Sequence, residues 1–550
     1  QFLYFIENVC RPVMRAVAAS LVAIVCAATL ASAHLPQGWP NGINAFPPLF
    51  PMPKAFTNGS TDVYVNGKLS FNVAEGNATA AAAIMDAVGR FHTETFMHTA
   101  VGTPPANAAT VSSVNVYVSD SSLDLQLYVL ENYTLAVPAG GAITIKAATV
   151  YGVYRALQSL SQLIAFDFDA QQFVIHAAPW AVDDEPRFPH RGVLIDSSRH
   201  YEPVTTIKRV IDTIAMAKYN ALHWHIVDAE SFPYDSVTYP KLGKETSYAP
   251  SQRFSQADVA DVVAYAKARG IRVMVELDTP GHSASMCYAY PEICPNPFCP
   301  STNVNNWALD ITKNLTYTVI EALLTEFNGL FPEHMMHLGG DEVVYWCWEG
   351  HPSIMQWLQE RNFTLNQGFE YYVKRIQDFV WNTFPERMVV GWQEIWEHFG
   401  TALNKRTIIQ QWLPNSISLP LNVTSHGYRL VWSDSSRWYL DHLDVTWQQM
   451  YTAEPCNGLP EKNCELILGG EAAMWGETVD TSDIMQTIWP RAAAVAERLW
   501  SPREYNDTVA ALPRMLAFRC LLNTRGIAAA PVENVVARAA PPGPGACFWQ

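Results

Sequence analysis

The stretch His334-Met-Met-His-Leu-Gly-Gly-Asp-Glu-Val-Val-Tyr-Trp-Cys-Trp348 decides how the rest of the chain is read. Met335 to Leu338 is mostly apolar and predicts a short buried strand. Gly339 and Gly340 break it, and Asp341 and Glu342 follow at once. Two carboxylates at the mouth of a buried strand are costly unless something uses them. Like charges this close push one pKa upward, so one acid can stay protonated and donate its proton. Trp346 and Trp348 could desolvate that acid or stack on a sugar ring. Taken alone, the stretch is equally a strand followed by an exposed acidic turn.

Working outward, the segment from 181 to 550 alternates short apolar strands with helical periods. The strands are expected at Gly192–Asp196, Ala221–Val227, Ile271–Leu277, His334–Leu338, Met388–Trp392, Thr407–Trp412, Tyr428–Trp432 and Leu466–Gly470. Helical periods fall at Val204–Lys218, Gln256–Arg269, Leu315–Phe327, Asn366–Thr383 and Ile484–Leu499. Eight strands in strand–helix order predict an α/β protein with a (β/α)8 TIM barrel. An open doubly wound sheet is the alternative, but no G-x-G-x-x-G loop follows any strand. Residues 34–180 read as a smaller α+β support domain. It carries period-two runs at Val114–Val118, Leu123–Val129, Tyr133–Val137 and Ala142–Lys146, expected to be antiparallel strands, and a helix from Thr149 to Ile164. The Pro-rich turn Pro179–Pro189 marks the boundary.

Residues 1–33 are expected to lie outside either domain. Met14-Arg15 is a short basic start, Ala16 to Leu30 is apolar, and Ala31-Ser32-Ala33 is a small-residue cleavage site. This predicts a secretory signal, with an uncleaved anchor as the alternative. Gln1 to Val13 resemble neither a signal nor a fold. No other stretch is long and apolar enough for a membrane span. Beyond Cys10 and Cys26, eight cysteines remain: Cys287, Cys294, Cys299, Cys347, Cys456, Cys464, Cys520 and Cys547. An even number on a secreted chain points to disulfides, and no C-x-x-C is present. Sequons begin at Asn58, Asn77, Asn132, Asn314, Asn362, Asn422 and Asn506, which predicts glycosylation. The net charge of −16 comes without a Lys/Arg patch, which argues against nucleic acid.

In a barrel the C-terminal strand ends meet on one face, where sites are built. Chemistry-bearing residues recur there. Arg191 precedes the first strand, and Ser197, Ser198, Arg199 and His200 follow it. His223, His225 and Asp228 belong to the second, and Glu276, Asp278 and His282 to the third. Asp341 and Glu342 belong to the fourth, Trp392 and Glu394 to the fifth, and Trp412 to the sixth. The seventh gives Trp438, Tyr439 and Asp441, and the eighth Glu471, Trp475 and Glu477. Singly, each has a dull explanation as core filler or surface pair. His223, His225, Asp228, Asp278 and His282 could compose a zinc site, but no H-E-x-x-H is present and the spacing fits no metal motif. No G-x-S-x-G supports a nucleophilic serine. No metal or cofactor is expected. Acid chemistry in a ring of tryptophans suits a glycoside, whose hydroxyls meet Arg, Asp and Glu and whose ring face meets Trp.

His223-Trp-His-Ile-Val-Asp228, Thr279-Pro-Gly-His282, His337-Leu-Gly-Gly-Asp-Glu342, Gly391-Trp-Gln-Glu394 and Gly469-Gly-Glu-Ala-Ala-Met-Trp-Gly-Glu477 strongly resemble glycoside hydrolase family 20, the β-N-acetylhexosaminidases. The resemblance runs from about residue 34 to the end, and eukaryotic lysosomal and secreted members look most similar. It implies an exo-acting enzyme on terminal β-linked GlcNAc or GalNAc of glycoconjugates or chitooligosaccharides, retaining by way of the substrate's own acetamido group. It implies Glu342 as acid and base, Asp341 on the acetamido N–H and Tyr439 on its oxygen. Trp392, Trp412 and Trp475 wall the acetamido methyl, with Trp438 beside them as a further substrate contact. Arg191, Asp228 and His282 bind ring hydroxyls, with Asp441 and Glu477 reaching O4 and O6. Asp441-His442 resembles the β-subunit type, implying neutral substrates. Ala229 departs from the polar residue many relatives carry there. The resemblance also implies Cys520–Cys547, a homodimer, and a place in the lysosome or outside the cell. Proximity and elimination suggest Cys456–Cys464, Cys299–Cys347 and Cys287–Cys294. A binding protein that keeps the tryptophans would lose the acid pair, which is present here, and the D-x-x-D-x-D-x-E run of an endo-chitinase is absent.

Overall fold

The structure is a computed structural model describing residues 47–296, 299, 303–414 and 418–533. The expected signal at 1–33 and Cys547 lie outside the described residues.

Eight parallel strands close into a barrel: β9 (His190–Asp196), β10 (Ala221–His225), β11 (Arg272–Glu276), β12 (Met335–His337), β13 (Met388–Trp392), β14 (Ile408–Gln411), β15 (Arg429–Trp432) and β16 (Ile467–Met474). Each neighbours the next in sequence, and β16 returns to β9. These strands are buried over nearly their whole length, as sheet faces covered on both sides must be. The helical period expected over Ile484–Leu499 divides into Ile484–Ile488 and Arg491–Trp500. Pro490 causes the break, because it has no N–H to continue the ladder.

Before the barrel, β1 (Ala55–Thr57), β2 (Thr61–Val73), β3 (Ala109–Asp120), β4 (Tyr133–Val137), β5 (Gly141–Thr149), β6 (Ile164–Asp167), β7 (Gln172–Ala178) and β8 (Trp180–Asp184) form one sheet. Its order is β1-β8-β4-β5-β3-β2-β7-β6. The helices Ala78–Thr95 and Val150–Leu163 pack on it. The sheet is mixed rather than antiparallel. β2, β3 and β5 run parallel: the helix Ala78–Thr95 provides the crossover from β2 to β3, and the chain from β3 reaches β5 by way of β4.

Leu123–Val129 is not a strand. Leu127 instead joins Met274, Met335, Val390, Ile408, Val431 and Leu468 in an apolar cluster of barrel residues. Gln126 holds it there, donating to Pro332 O at 2.9 Å and accepting from His334 N at 2.9 Å. The small domain thus plugs the barrel's lower end, and the upper end is left for chemistry.

Candidate active site

The Gly339-Gly340 pair sets the geometry of the two acids. Gly339 has φ +66, and a Cβ built on it would lie 1.7 Å from Asp278 Oδ1. Only glycine lets the backbone pass this close to that carboxylate, and Gly340 N donates to Asp278 Oδ1 at 3.0 Å. The turn delivers Asp341 and Glu342 to the barrel mouth. Glu342 (φ 49) and His282 (φ 51) both occupy the left-handed region, where side-chain-bearing residues store strain at working sites.

A cavity of about 160 Å³ opens between them. Asp341, Glu342, Trp392, Trp412, Tyr439 and Trp475 all line it. Asp228, His282, Asp441 and Glu477 line it as well. The aromatic wall is continuous. Trp412 stacks on Tyr439 with centroids 6.4 Å apart and planes at 16°. Trp475 lies 6.1 Å from Tyr439 and 5.9 Å from Trp392. Two indoles are anchored from behind, Trp392 Nε1 donating to Glu276 Oε1 at 2.7 Å and Trp412 Nε1 to Glu394 Oε2 at 2.9 Å. Among the described residues, Asp341 Oδ1 and Trp475 Nε1 are buried without a hydrogen-bond partner.

His282 ties the acids together. Its Nδ1 meets Asp228 Oδ1 at 3.0 Å, and its Nε2 lies 3.3 Å from Glu342 Oε2. Burial would lower the His282 pKa, but the charges of Asp228, Asp341 and Asp278 outweigh it and hold it well above the usual range. The close approach of His282 holds Glu342 below the usual carboxylate range against a partial desolvation. Asp341 goes the other way: burial raises it well above that range, and the Asp278 charge adds to the shift. Burial likewise lifts Asp278 to about 6. Buried Asp228 is kept well below its ordinary value by Arg199 and His282.

Two expected sugar contacts lie elsewhere. Arg191 is the second residue of β9 and so sits at the strand's N-terminal end, away from the cavity. It is fully buried, bonded to both Glu131 carboxylate oxygens at 2.7 Å and to the carbonyls of Lys218 and Phe188. The arginine at the cavity is Arg199, beyond the other end of that strand. It reaches Asp228 at 2.9 Å, Asp196 at 3.0 Å and Glu477 at 3.9 Å. Trp438 is the second correction. Its fully buried indole packs edge-on against Trp432 at 4.4 Å and donates to Met450 O. Asp228 and His282 line the cavity, but they are engaged with each other and with Glu342 rather than free for ring hydroxyls.

His442 lines the cavity beside Asp441, and His225, Asp278 and Asn305 line it without an assigned role in the sequence. Position at the strand ends marks His225 and Asp278 in the sequence itself. Asn305 sits in a short 3-10 turn that no period announces. Among the described residues, His223, Glu276 and His337, and Asp228, Asp278 and His282, are the groups close enough to hold an ion. In the first, Glu276 already faces His225, His223, His337 and the Trp392 indole. In the second, His282 and Arg199 already engage Asp228.

The structure pairs Cys287 with Cys294, Cys299 with Cys347, and Cys456 with Cys464. Cys520 is disulfide-bonded, and the expected partner Cys547 is outside the described residues. Asn58, Asn77, Asn314, Asn362, Asn422 and Asn506 are exposed, and Asn132 is half-buried.

Residues 188–503 match the catalytic domain of glycosyl hydrolase family 20. The chain belongs to glycosyl hydrolase family 20. Residues 49–163 match a second domain described as beta-acetyl hexosaminidase like. Beta-hexosaminidase 1 of Arabidopsis thaliana is 42% identical over 532 residues, covering 93% of this chain and 96% of that protein. The beta-hexosaminidase subunit beta of Mus musculus is 38% identical over 409 residues, covering 73% of this chain and 75% of that protein. Among solved structures, the Flavobacterium johnsoniae chitobiase superposes with a TM-score of 0.77 at 28% identity, covering 87% of this chain and 73% of that one. This family 20 member is a glycoside hydrolase, with the exo-β-N-acetylhexosaminidase activity of its family. Among the described residues no helix is long and apolar enough to cross a membrane.

Proposed function

We propose that the enzyme releases terminal β-linked GlcNAc or GalNAc by a retaining reaction in which the substrate supplies the nucleophile. The acetamido carbonyl oxygen attacks C1. The C1–O bond breaks, its electron pair passes to the departing oxygen, and that oxygen takes the Glu342 proton. Water then adds to C1 of the oxazolinium ion, gives its proton to Glu342, and the ring reopens. Asp341 receives the acetamido N–H and balances the developing charge. Tyr439 donates to the acetamido oxygen, and Trp392, Trp412 and Trp475 hold the methyl in line for attack. One observation carries this reading: Asp341, Glu342, Tyr439 and the three indoles line the same small cavity. It leaves no second carboxylate needing to act as nucleophile across the ring.

In the free site the proton favours Asp341, the more buried acid, over Glu342. Substrate reverses this. The acetamido N–H stabilises ionised Asp341, and the aglycone desolvates Glu342, so the proton moves to the acid that must donate it. Arg199, Asp441 and Glu477 serve the hydroxyls on the far side of the sugar. The Asp441 carboxylate favours neutral sugars over sulfated or sialylated ones. The enzyme works as a homodimer on glycans in the lysosome or outside the cell, having entered by the secretory pathway with its sequons glycosylated.

Two assays test this. A thiazoline analogue of the oxazolinium ion must inhibit tightly, and indifference to it rejects substrate assistance. Glu342→Gln must abolish turnover of glycosides with poor leaving groups yet still bind that analogue.

A further inference from the structure

The pairing of Glu342, His282 and Asp228 does not stop at Asp228. Asp228 Oδ2 lies 2.5 Å from His225 Nε2, and His225 Nδ1 lies 2.5 Å from Glu276 Oε2. Glu276 Oε2 is 3.1 Å from His223 Nε2, and His223 Nδ1 is 2.8 Å from Glu471 Oε2. Glu471 Oε1 then meets His190 Nε2 at 2.7 Å. Carboxylate and imidazole alternate without a gap from the cavity into the barrel. β9, β10, β11 and β16 supply the inner members, and all of them are buried.

Packing alone does not call for this. Barrel interiors are ordinarily filled by branched apolar residues. The Leu127 layer of this barrel is filled that way. Buried ion pairs are commonly no more stabilising than apolar side chains of the same volume. An ionic column that ends on the catalytic acid therefore points to a role in catalysis.

We propose that Glu276 and His225 are positioning residues that set the proton affinity of Glu342 through Asp228 and His282. The inference rests on the reading of Glu342 as the acid. His225 sits between two carboxylates and donates to both only as an imidazolium. Its charge, with that of Arg199, is set against Asp228 and moderates the pull of Asp228 on His282. Burial opposes charge on both groups, but their partners prevail: Glu276 and Asp228 keep His225 well above its ordinary pKa, and His337, His225 and His223 keep Glu276 well below.

The groups facing Glu276 are His223 and His225 from β10, His337 from β12 and the Trp392 indole from β13. Glu471 of β16 faces it across His223, and Asp278 and Asp341 feel its charge from the cavity side. Removing the Glu276 charge lets His225 release a proton. Asp228 then draws harder on His282, His282 holds its proton more firmly, and Glu342 stays anionic to lower pH. Loss of a nearby negative charge acts on Glu342 in the same direction.

The test is the pH dependence of kcat for Glu276→Gln, because kcat reports the substrate complex, in which Glu342 carries the proton. The alkaline limb must move to lower pH by about one unit, giving about a tenfold loss above the limb and little below it. Glu276→Asp, which restores the charge, must move the limb back. A loss uniform across pH, or a limb that stays in place, overturns the proposal. A second reading needs no variant. A neutron map of the wild-type enzyme must show deuterium on both ring nitrogens of His225, and a singly protonated ring overturns the proposal. Failure of the underlying reading is distinguishable. Glu342→Gln on an activated aryl glycoside, which needs no acid, must lack the alkaline limb; a limb that persists there removes Glu342 as the acid.

Discussion

His282 Nε2 lies 3.3 Å from Glu342 Oε2, and the same nitrogen is 3.6 Å from Asp341 Oδ2. One imidazolium thus serves two carboxylates that are neighbours in the chain, yet the two respond in opposite directions. Burial separates them: the Asp341 side chain is 12% exposed and that of Glu342 46%. The buried acid is raised and the open one, paired with His282, is lowered.

This division of labour makes Asp341→Asn informative. The amide keeps the volume and removes the charge that faces the oxazolinium ion. The expected loss in kcat is about 10²- to 10³-fold, with a much smaller change in KM. Steady-state rates on an aryl N-acetylglucosaminide decide it. A loss confined to KM removes Asp341 from the transition state.

Glu394 anchors Trp412, and burial lifts its pKa to about 8, with the Asp341 charge adding to the shift. The folded state therefore holds a proton that the unfolded chain releases near 4.5. Its contribution to stability falls as pH rises from about 4.5 to about 8 and levels off above that. Glu394→Gln keeps an acceptor for the Trp412 N–H and removes the titration. Its melting temperature must fall less than the parent's across this window, by at least about 2–4 °C. Parallel melting curves reject the raised value.

Asp441 lines the cavity with the more exposed His442 Nε2 at 3.7 Å. His442 Nδ1 is tied to Ser435 O at 2.9 Å, which keeps the ring near the carboxylate. Replacing this pair by Asp441→Asn with His442→Arg turns an anionic stretch of the lining cationic. The ratio of rates on a 6-sulfated and an unsulfated aryl glycoside must rise by about tenfold. An unchanged ratio means that this pair does not govern charge selectivity.

The barrel was legible because eight apolar runs alternate with helical periods, and each run coincides with a strand. The acid pair and the aromatic wall were legible because they follow those strands directly. What escaped was set by contacts no local pattern encodes. Leu123–Val129 has strand periodicity, but its Leu127 has a better burial site beneath the barrel. Trp438 follows the seventh strand as Tyr439 does, yet it ends a one-turn helix that turns its indole onto Trp432. Two arginines flank β9, and composition cannot rank them. Strand direction can: Arg191 enters the strand and Arg199 leaves it.

That placement makes opposite forecasts for the two arginines. Arg191 and Arg155 share Glu131, binding the small domain to the barrel. Burial would raise the Glu131 pKa, but the two guanidinium groups hold it at about 2. Arg191→Met leaves that buried carboxylate half-compensated and must cost about 3–5 kcal/mol of stability near neutral pH. The depressed pKa means that the parent loses this contribution as pH falls from 4.5 toward about 2, so parent and variant must converge in acid. KM must stay at the parent value, because the side chain is remote from the sugar. Arg199→Met must instead raise KM by about 10- to 100-fold, the value of a lost charged hydrogen bond. Denaturant titrations at neutral and acid pH, with KM measured on the same preparations, separate the two. A raised KM with unaltered stability in Arg191→Met would return that residue to the substrate.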